Sequence, residues 1–185
     1  MLGFYNYTVI LTYISLISGV TGMFFAVQGN VTAAVICLLF SGFCDLFDGK
    51  VARTKKDRTD QEKRFGIQID SLCDIVCFGV LPAMIAVAVG CNRPWHAAAA
   101  CFFVLCGLIR LAYFNVTEED RQKATTENRK TYTGLPITSS SIIMPLVQCF
   151  RKLFGAALPW IYAALLIIVG ILFISPITVK KPFSK

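Results

Sequence analysis

Long apolar runs limit the folds that this sequence can adopt. Six of them lie at about 7–27, 31–52, 67–89, 95–114, 137–150 and 156–178. A helix needs about 20 apolar residues to cross a bilayer core. The chain is 56% hydrophobic, whereas soluble domains are about 45–50% apolar. We therefore predict an all-α integral membrane protein with six transmembrane helices, forming one membrane-embedded domain over residues 1–185.

Two of the runs contain a proline, which removes a hydrogen-bond donor from a helix. Pro82 predicts a kink in the third helix, and Pro145 interrupts the fifth, which is also short. The N-terminus lacks the basic segment and the cleavage site of a secretory signal peptide. We therefore expect the first apolar run to be retained as a helix.

Basic residues concentrate on one side of the predicted bundle. Six lie in 53–64, four in 117–130 and three in 180–185, against three in the connections on the other side. Lys and Arg are enriched on the cytoplasmic side of membrane helices. We predict a cell-membrane protein with both termini and both long loops in the cytoplasm, as an even number of spans requires. Because the basic residues flank apolar runs, the net charge of +7 does not predict nucleic-acid binding.

Four of the eleven acidic residues lie within predicted membrane helices: Asp45, Asp48, Asp70 and Asp74. An Asp at the centre of a membrane helix costs about 2.5–3.5 kcal/mol on insertion scales, so a polar cavity, a cation or a metal must compensate. Asp45 and Asp48 are spaced i,i+3, and Asp70 and Asp74 are spaced i,i+4, so each pair shares a helix face. The two helices are antiparallel, and we expect all four carboxylates to converge near the cytoplasmic interface.

Oxygen ligands favour hard divalent cations such as Mg²⁺, Mn²⁺ or Ca²⁺. Four carboxylates are enough to hold two metal ions about 3.5–4 Å apart. The spacing therefore favours metal-assisted chemistry. Two alternatives stay open at this point. One is a transporter or proton relay in which Lys50, Arg53 or Arg110 balances the aspartates, and the other is purely structural pairing.

Small residues and one arginine accompany the aspartates. Gly49 and Ala52 lie on the carboxylate side of the second helix, and Gly66 stands one turn before Asp70. Small residues let a bulky group approach the backbone, although a single glycine is more simply explained by helix packing. Arg53, at the helix end, suits bidentate contact with a phosphate. Together these residues predict a site for a metal-bound pyrophosphate.

The whole string resembles the signature of the CDP-alcohol phosphotransferase family, D-x-x-D-G-x-x-A-R, a spacer, and G-x-x-x-D-x-x-x-D. All eight fixed positions match. The resemblance implies a helical membrane fold with the same number of spans, which commonly forms a homodimer. It also implies that a CDP-linked lipid or alcohol is cleaved with the help of divalent metals and that CMP is released.

Three further segments are similar to bacterial-type phosphatidylserine synthases. Residues 70–80 resemble their DSxADxVxFGVxP stretch. Residues 110–116 resemble RLARFN, with Tyr113 in place of an arginine, and residues 133–137 resemble the start of F-x-G-L-P-x-P, with Thr138 in place of the second proline. The likeness covers nearly the whole chain.

Two departures from the pattern stand out. The spacer at 54–65 has twelve residues, about four more than is usual in the family, which is about one helical turn. We expect a longer loop or one more turn of helix. The usual Pro-Asn pair of the synthases is Thr8-Val9 here.

The segments outside the signature predict an acceptor pocket. Arg110 is a charged residue inside a membrane helix and needs a partner, which a serine carboxylate or a lipid phosphate would supply. Asn115 is expected to end that helix as a cap or ligand. Gly134 and Pro136 belong to a turn that leads into the fifth helix, and helix initiation alone would also explain that turn.

The resemblance implies transfer of the phosphatidyl group of CDP-diacylglycerol, or of a CDP-archaeol-like lipid, to L-serine. It assigns the serine proton to Asp74 and metal binding to all four aspartates. The nearest alternative is a phosphorylated acceptor, glycerol phosphate or inositol phosphate. Outside the signature Arg110 is the only cation within a predicted helix, which favours serine. Loop cations lie near it in sequence, namely Arg121, Lys123, Arg129 and Lys130.

Overall fold

The computed structural model describes residue 3 and residues 7–52, 54–55, 57, 59–124 and 131–180, with the backbone alone at 52, 121–124, 131–133 and 178–180. These residues form helices α1 Ile10–Val27, α2 Val31–Ala52, α3 Asp60–Asp74, α4 Leu81–Val89, α5 Pro94–Ala124, α6 Ser140–Cys149, α7 Arg151–Phe154 and α8 Leu158–Ile174. A π turn, Ile75–Val80, joins α3 to α4, and short 3-10 turns cover Tyr7–Val9, Ile137–Ser139 and Gly155–Ala157. Two short strands are β1 Thr131–Thr133 and β2 Thr178–Lys180.

Five helical segments are long and apolar enough to cross a membrane: Tyr7–Val27, Val31–Val51, Asp60–Val89, Pro94–Asp120 and Arg151–Ile174. A shorter apolar helix, Ile137–Cys149, makes the sixth. Large apolar side chains such as Ile17, Phe24 and Leu46 lie exposed on the outside of the bundle, as contact with lipid tails requires. The prediction of an all-α membrane protein with six helices is confirmed, and the chain is a multi-pass membrane protein.

The third helix begins at Asp60, seven residues before the predicted start at 67. A capping box at Thr59 fixes this start. The Thr59 hydroxyl accepts from the Glu62 backbone at 3.2 Å, and the Glu62 carboxylate accepts from the Thr59 backbone at 3.0 Å. Half of the long spacer, residues 60–65, is therefore helical, where the sequence led us to expect either a longer loop or one more turn of helix.

The fourth predicted helix also runs further than expected. It corresponds to α5, which continues to Ala124 instead of ending near residue 114. Asn115 therefore lies inside a helix, and the prediction that it caps the helix end is wrong. The reason is that the added turns are polar, so hydropathy alone does not reveal them.

The long third span changes geometry in front of Pro82. The regular helix gives way to the π turn, which ends just before Leu81. Pro82 has no N–H, so it cannot donate to the carbonyl of Phe78 one turn earlier. The hydroxyl of Ser140 donates to that carbonyl instead, at 2.9 Å. The helical span continues through Pro82, and the kink expected there stays a prediction. A side chain of α6 lies within hydrogen-bonding distance of the carbonyl that lacks the Pro82 donor.

Small and polar residues join the helices around this span. The hydroxyls of Ser15 on α1 and Ser41 on α2 each donate to the other's carbonyl, at 3.3 and 3.0 Å. Such interhelical bonds contribute about 0.6 kcal/mol each within a bilayer. On the other side, α5 packs on α8 through Phe103 and Phe173, whose ring centroids lie 5.3 Å apart.

The sequence did not predict the strand pair. β1 runs antiparallel to β2, with Thr131 opposite Lys180 and Thr133 opposite Thr178. The turn after β1 is held by two further backbone bonds, from Gly134 to Ile177 and from Leu135 to Leu172. The strand pair and these backbone bonds therefore join the segment before α6 to the segment after α8.

Candidate active site

The four aspartates meet between α2 and α3. The carboxyl of Asp45 is in hydrogen-bonding contact with that of Asp74, and the carboxyl of Asp48 is in contact with that of Asp70. The earlier aspartate of α2 is thus paired with the later aspartate of α3, as antiparallel helices require. Asp48 and Asp74 are buried, each 9% exposed. The expected convergence of both pairs is present in the structure.

Three of these residues form a compact group of oxygen ligands. Asp45, Asp70 and Asp74 each present one oxygen within 4.8 Å of the other two. Oxygens on opposite sides of one ion lie about 4.2 Å apart around Mg²⁺ and about 5 Å apart around Ca²⁺, by the usual bond lengths. Carboxylates this close repel one another in a membrane unless a cation lies between them. The residues therefore fit a divalent metal, with Asp48 adjoining the group through Asp70.

A first cavity of about 180 Å³ opens beside Asp48 and Asp70. Its described walls come from α2, α3 and the start of α1: Thr8, Val9, Thr12, Asp48, Gly49, Lys63, Gly66, Ile67 and Asp70. A Cβ at Gly49 would have nothing within 4 Å. Helix packing therefore does not require this glycine, and the space beside it belongs to the cavity.

Two of the predicted binding residues add nothing further here. Ala52 is the last residue of α2, and only its backbone is described. Arg53 lies outside the described residues. The structure therefore brings Gly49 and Gly66 to the first cavity and leaves the predicted roles of Ala52 and Arg53 as predictions.

A second cavity of about 300 Å³ lies on the other side of Asp70. It is lined by Asp45, Asp70, Ser71, Asp74, Arg110, Leu111, Phe114, Pro136, Ile137 and Thr138. Arg110 belongs to α5, is 9% exposed, and lines the same cavity as the carboxylates. The arginine and the turn containing Pro136 are thus brought to the aspartates, as the predicted acceptor pocket requires.

Asn115 and Gly134 do not line this cavity, but each lies next to a residue that does. The Ser71 hydroxyl donates to the side-chain oxygen of Asn115 at 3.0 Å, so Asn115 orients a residue next to Asp70. Gly134 has a φ of +76°, and a Cβ there would lie 2.7 Å from the Phe173 carbonyl oxygen and 2.8 Å from an Arg110 guanidinium nitrogen. Only glycine leaves room for the arginine at this point.

Gly134→Ala is expected to lower the melting temperature of the purified protein in detergent. A left-handed conformation costs a non-glycine residue about 1–3 kcal/mol, and the added methyl group also collides with backbone oxygen and with Arg110. The matched control is Gly29→Ala, because Gly29 has a φ of +77° and nothing within 4 Å of its Cβ position. Equal losses for the two variants would show that the close contacts at Gly134 do not matter.

Sequence reasoning missed several wall residues. Lys63, Ser71 and Thr12 line the cavities. They were missed because the sequence pattern singled out charged residues inside apolar runs, and none of the three is one. The signal that was available is periodicity, because Lys63 and Gly66 precede Asp70 at spacings that place all three on one face of a helix.

Comparisons with known proteins agree with this motif. A family model described as CDP-alcohol phosphatidyltransferase matches residues 5–175. The CDP-diacylglycerol–serine O-phosphatidyltransferase of Saccharomyces cerevisiae is 36% identical over 152 residues, 76% of this chain and 54% of that protein. The enzyme of the same name from Mycobacterium leprae is 31% identical over 176 residues, 92% of this chain and 57% of that protein.

An archaeal relative extends the comparison. The archaetidylserine synthase of Methanothermobacter thermautotrophicus is 34% identical over 134 residues, 72% of this chain and 53% of that protein. The chain spans about half the length of the curated relatives it matches. The family match, in contrast, covers most of the chain, and all eight signature positions fall within it. The chain therefore belongs to the CDP-alcohol phosphatidyltransferase family.

Proposed function

We propose that this chain transfers the phosphatidyl group of CDP-diacylglycerol, or the equivalent group of a CDP-archaeol-like lipid, to L-serine and releases CMP. The observation that carries the proposal is the second cavity, whose lining combines the carboxylates of Asp45, Asp70 and Asp74 with Arg110. The names of the serine-using relatives support the same acceptor.

L-Serine matches the charges of this cavity. Its carboxylate suits the guanidinium of Arg110, which binds such groups through two parallel hydrogen bonds. Its ammonium is attracted by the aspartates, and its hydroxyl is then directed toward Asp74. A phosphorylated alcohol carries more negative charge and needs more cations. Among the described residues that line the cavity, Arg110 is the one cation.

The reaction follows from this placement. The serine hydroxyl oxygen attacks the phosphorus on the lipid side, and the bond from that phosphorus to the bridging oxygen of CMP breaks. The carboxylate of Asp74 takes the proton of the hydroxyl. The first cavity holds the CDP group against Gly49 and Gly66. Contacts of Ala52 and Arg53 with that group stay predictions from the family resemblance.

Divalent metal belongs to this proposal. Asp45, Asp48, Asp70 and Asp74 would hold two ions, Mg²⁺ or Mn²⁺, with Ca²⁺ as a further candidate for the site. Bound there, the metal neutralises the pyrophosphate and stabilises CMP as it leaves. Asp74 then serves both as a ligand and as the proton acceptor.

We further propose a single catalytic domain that forms a homodimer in the cell membrane. The distribution of basic residues supports a cytoplasmic position for both termini, for the two long loops and for the four aspartates, which lie in the loop-side halves of the second and third spans. The dimer rests on the family resemblance.

CMP release by the purified protein tests the acceptor. We expect release from CDP-diacylglycerol and Mn²⁺ when L-serine is added, and none with glycerol 3-phosphate or inositol phosphate. Mass spectrometry then detects phosphatidylserine. Release with a phosphorylated alcohol alone would keep the chemistry and replace the acceptor. Absence of CMP release with all three, together with ion flux in proteoliposomes, would favour a transporter and end the proposal.

A further inference from the structure

We propose that Lys63 binds the phosphates of the nucleotide substrate, through a contact that the helical second half of the spacer makes possible. The inference rests on the proposed function, because its ligand is the CDP group. Lys63 is the one cation among the described residues that line the first cavity. That cavity also holds Asp48, Gly49 and Asp70.

The start of α3 fixes the position of the lysine. The capping box at Thr59 starts α3 at Asp60, so Lys63 already has helical geometry. Its backbone N–H donates to the Thr59 carbonyl at 3.0 Å. Lys63, Gly66 and Asp70 are spaced i, i+3 and i+7 and therefore lie on one stripe of the helix. An irregular spacer would not fix the side chain on the stripe that carries the aspartates.

The ammonium group is available for a ligand. Its partner is Asp60, with an Nζ to Oδ1 distance of 3.2 Å, and both side chains are exposed, by 53% and 93%. Exposed ion pairs of this kind contribute little, so moving the ammonium to a phosphate costs little. The phosphate gives a stronger charge-assisted bond.

Two other cations of the spacer that the structure describes, Lys55 and Arg64, are directed elsewhere. Lys55 is bonded to Glu62 at 2.8 Å. Arg64 lies 3.8 Å from Glu119 of α5 and lines a separate cavity of about 250 Å³ between α3 and α5. Arg64 therefore carries the same charge as Lys63 and lies one residue further along α3, but it faces a different cavity.

The aspartates give a reason for a cation at this edge. A pyrophosphate that enters the first cavity meets the negative charge of Asp48 and Asp70. Metal held by the aspartates would offset part of that charge. Lys63 supplies a compact positive charge on the spacer side, and a lysine ammonium suits phosphate in that way.

Binding of CMP tests the inference without relying on turnover. Dissociation constants are measured by calorimetry with Mn²⁺ in a nonionic detergent that contains no anionic lipid. We expect Lys63→Gln to weaken CMP binding about tenfold, because it removes one charge-assisted hydrogen bond. Lys63→Arg should retain most of the affinity, and Arg64→Gln should match the wild type. Cytidine, which has no phosphate, should bind all four proteins equally.

Several outcomes would overturn the inference. One is equal CMP affinity for Lys63→Gln and the wild type. Another is a matching loss for cytidine, which would mean that Lys63 does not act on phosphate. A defect that appears only after vesicles of anionic phospholipid are added would assign Lys63 to bilayer headgroups. If the wild type itself binds no CMP with Mn²⁺, the proposed function fails as well, and that outcome is recognised before any variant is compared.

Discussion

Asp74→Asn is expected to reduce CMP release by at least about 10³-fold, since loss of a general base alone costs about 10²–10⁴-fold. The amide cannot take the proton of the serine hydroxyl, and it also removes a negative charge from the group formed with Asp45 and Asp70. The side chain keeps nearly the same volume, so the buried packing around it is preserved. The measurement is the initial rate of CMP release at saturating CDP-diacylglycerol and L-serine.

A matched substitution separates this effect from a general change in charge. Asp57→Asn makes the same chemical change at an exposed position of the spacer, and we expect it to retain the wild-type rate. The melting temperature of both variants reports whether the fold is intact. A rate for Asp74→Asn within tenfold of the wild type, in a folded protein, would remove Asp74 from the proposed chemistry.

Chelation of divalent cations is expected to reduce CMP release to the background rate, and Mn²⁺ or Mg²⁺ should restore it. The reason is the close set of carboxylate oxygens, which attracts a hard cation. Without that cation, the charge of the pyrophosphate that enters the site is not neutralised. The measurement is the rate as a function of free metal concentration after treatment with EDTA.

A ligand variant links the metal to these residues. Asp45→Asn should raise the Mn²⁺ concentration needed for half-maximal activity by at least about tenfold, because ligand charge sets cation affinity. Titration of free Mn²⁺ by electron paramagnetic resonance should show the same weakening in the absence of substrate. Activity that survives EDTA would contradict the metal proposal, and unchanged Mn²⁺ binding in Asp45→Asn would remove that residue from the site.

The sequence predicted best where hydropathy or helix periodicity decides the structure. The first two spans have the predicted bounds, because each is apolar from one polar turn to the next. The contacts of Asp45 with Asp74 and of Asp48 with Asp70 follow from their spacing on two antiparallel helices. Local rules were enough for the central part of the site.

The remaining features depend on polar helical turns and on distant contacts. Residues 60–66 and 115–124 are helical but not apolar, so the hydropathy pattern starts the third helix too late and ends the fourth too early. The capping box of Thr59 and Glu62 was a usable signal for the first of these. β1 and β2 are three residues each and far apart in sequence, so no periodic pattern predicts their pairing.

Asp70 forms part of the wall of both cavities, and this shared wall bears on whether both substrates can be bound at the same time. In the proposed function, CDP-lipid in the first cavity and the amino acid in the second do not occupy the same space. Both can be present at once, so the lipid group needs no temporary attachment to the protein. A layout of this kind corresponds to sequential two-substrate kinetics instead of a ping-pong scheme, and to inversion at phosphorus, since a single displacement transfers the group.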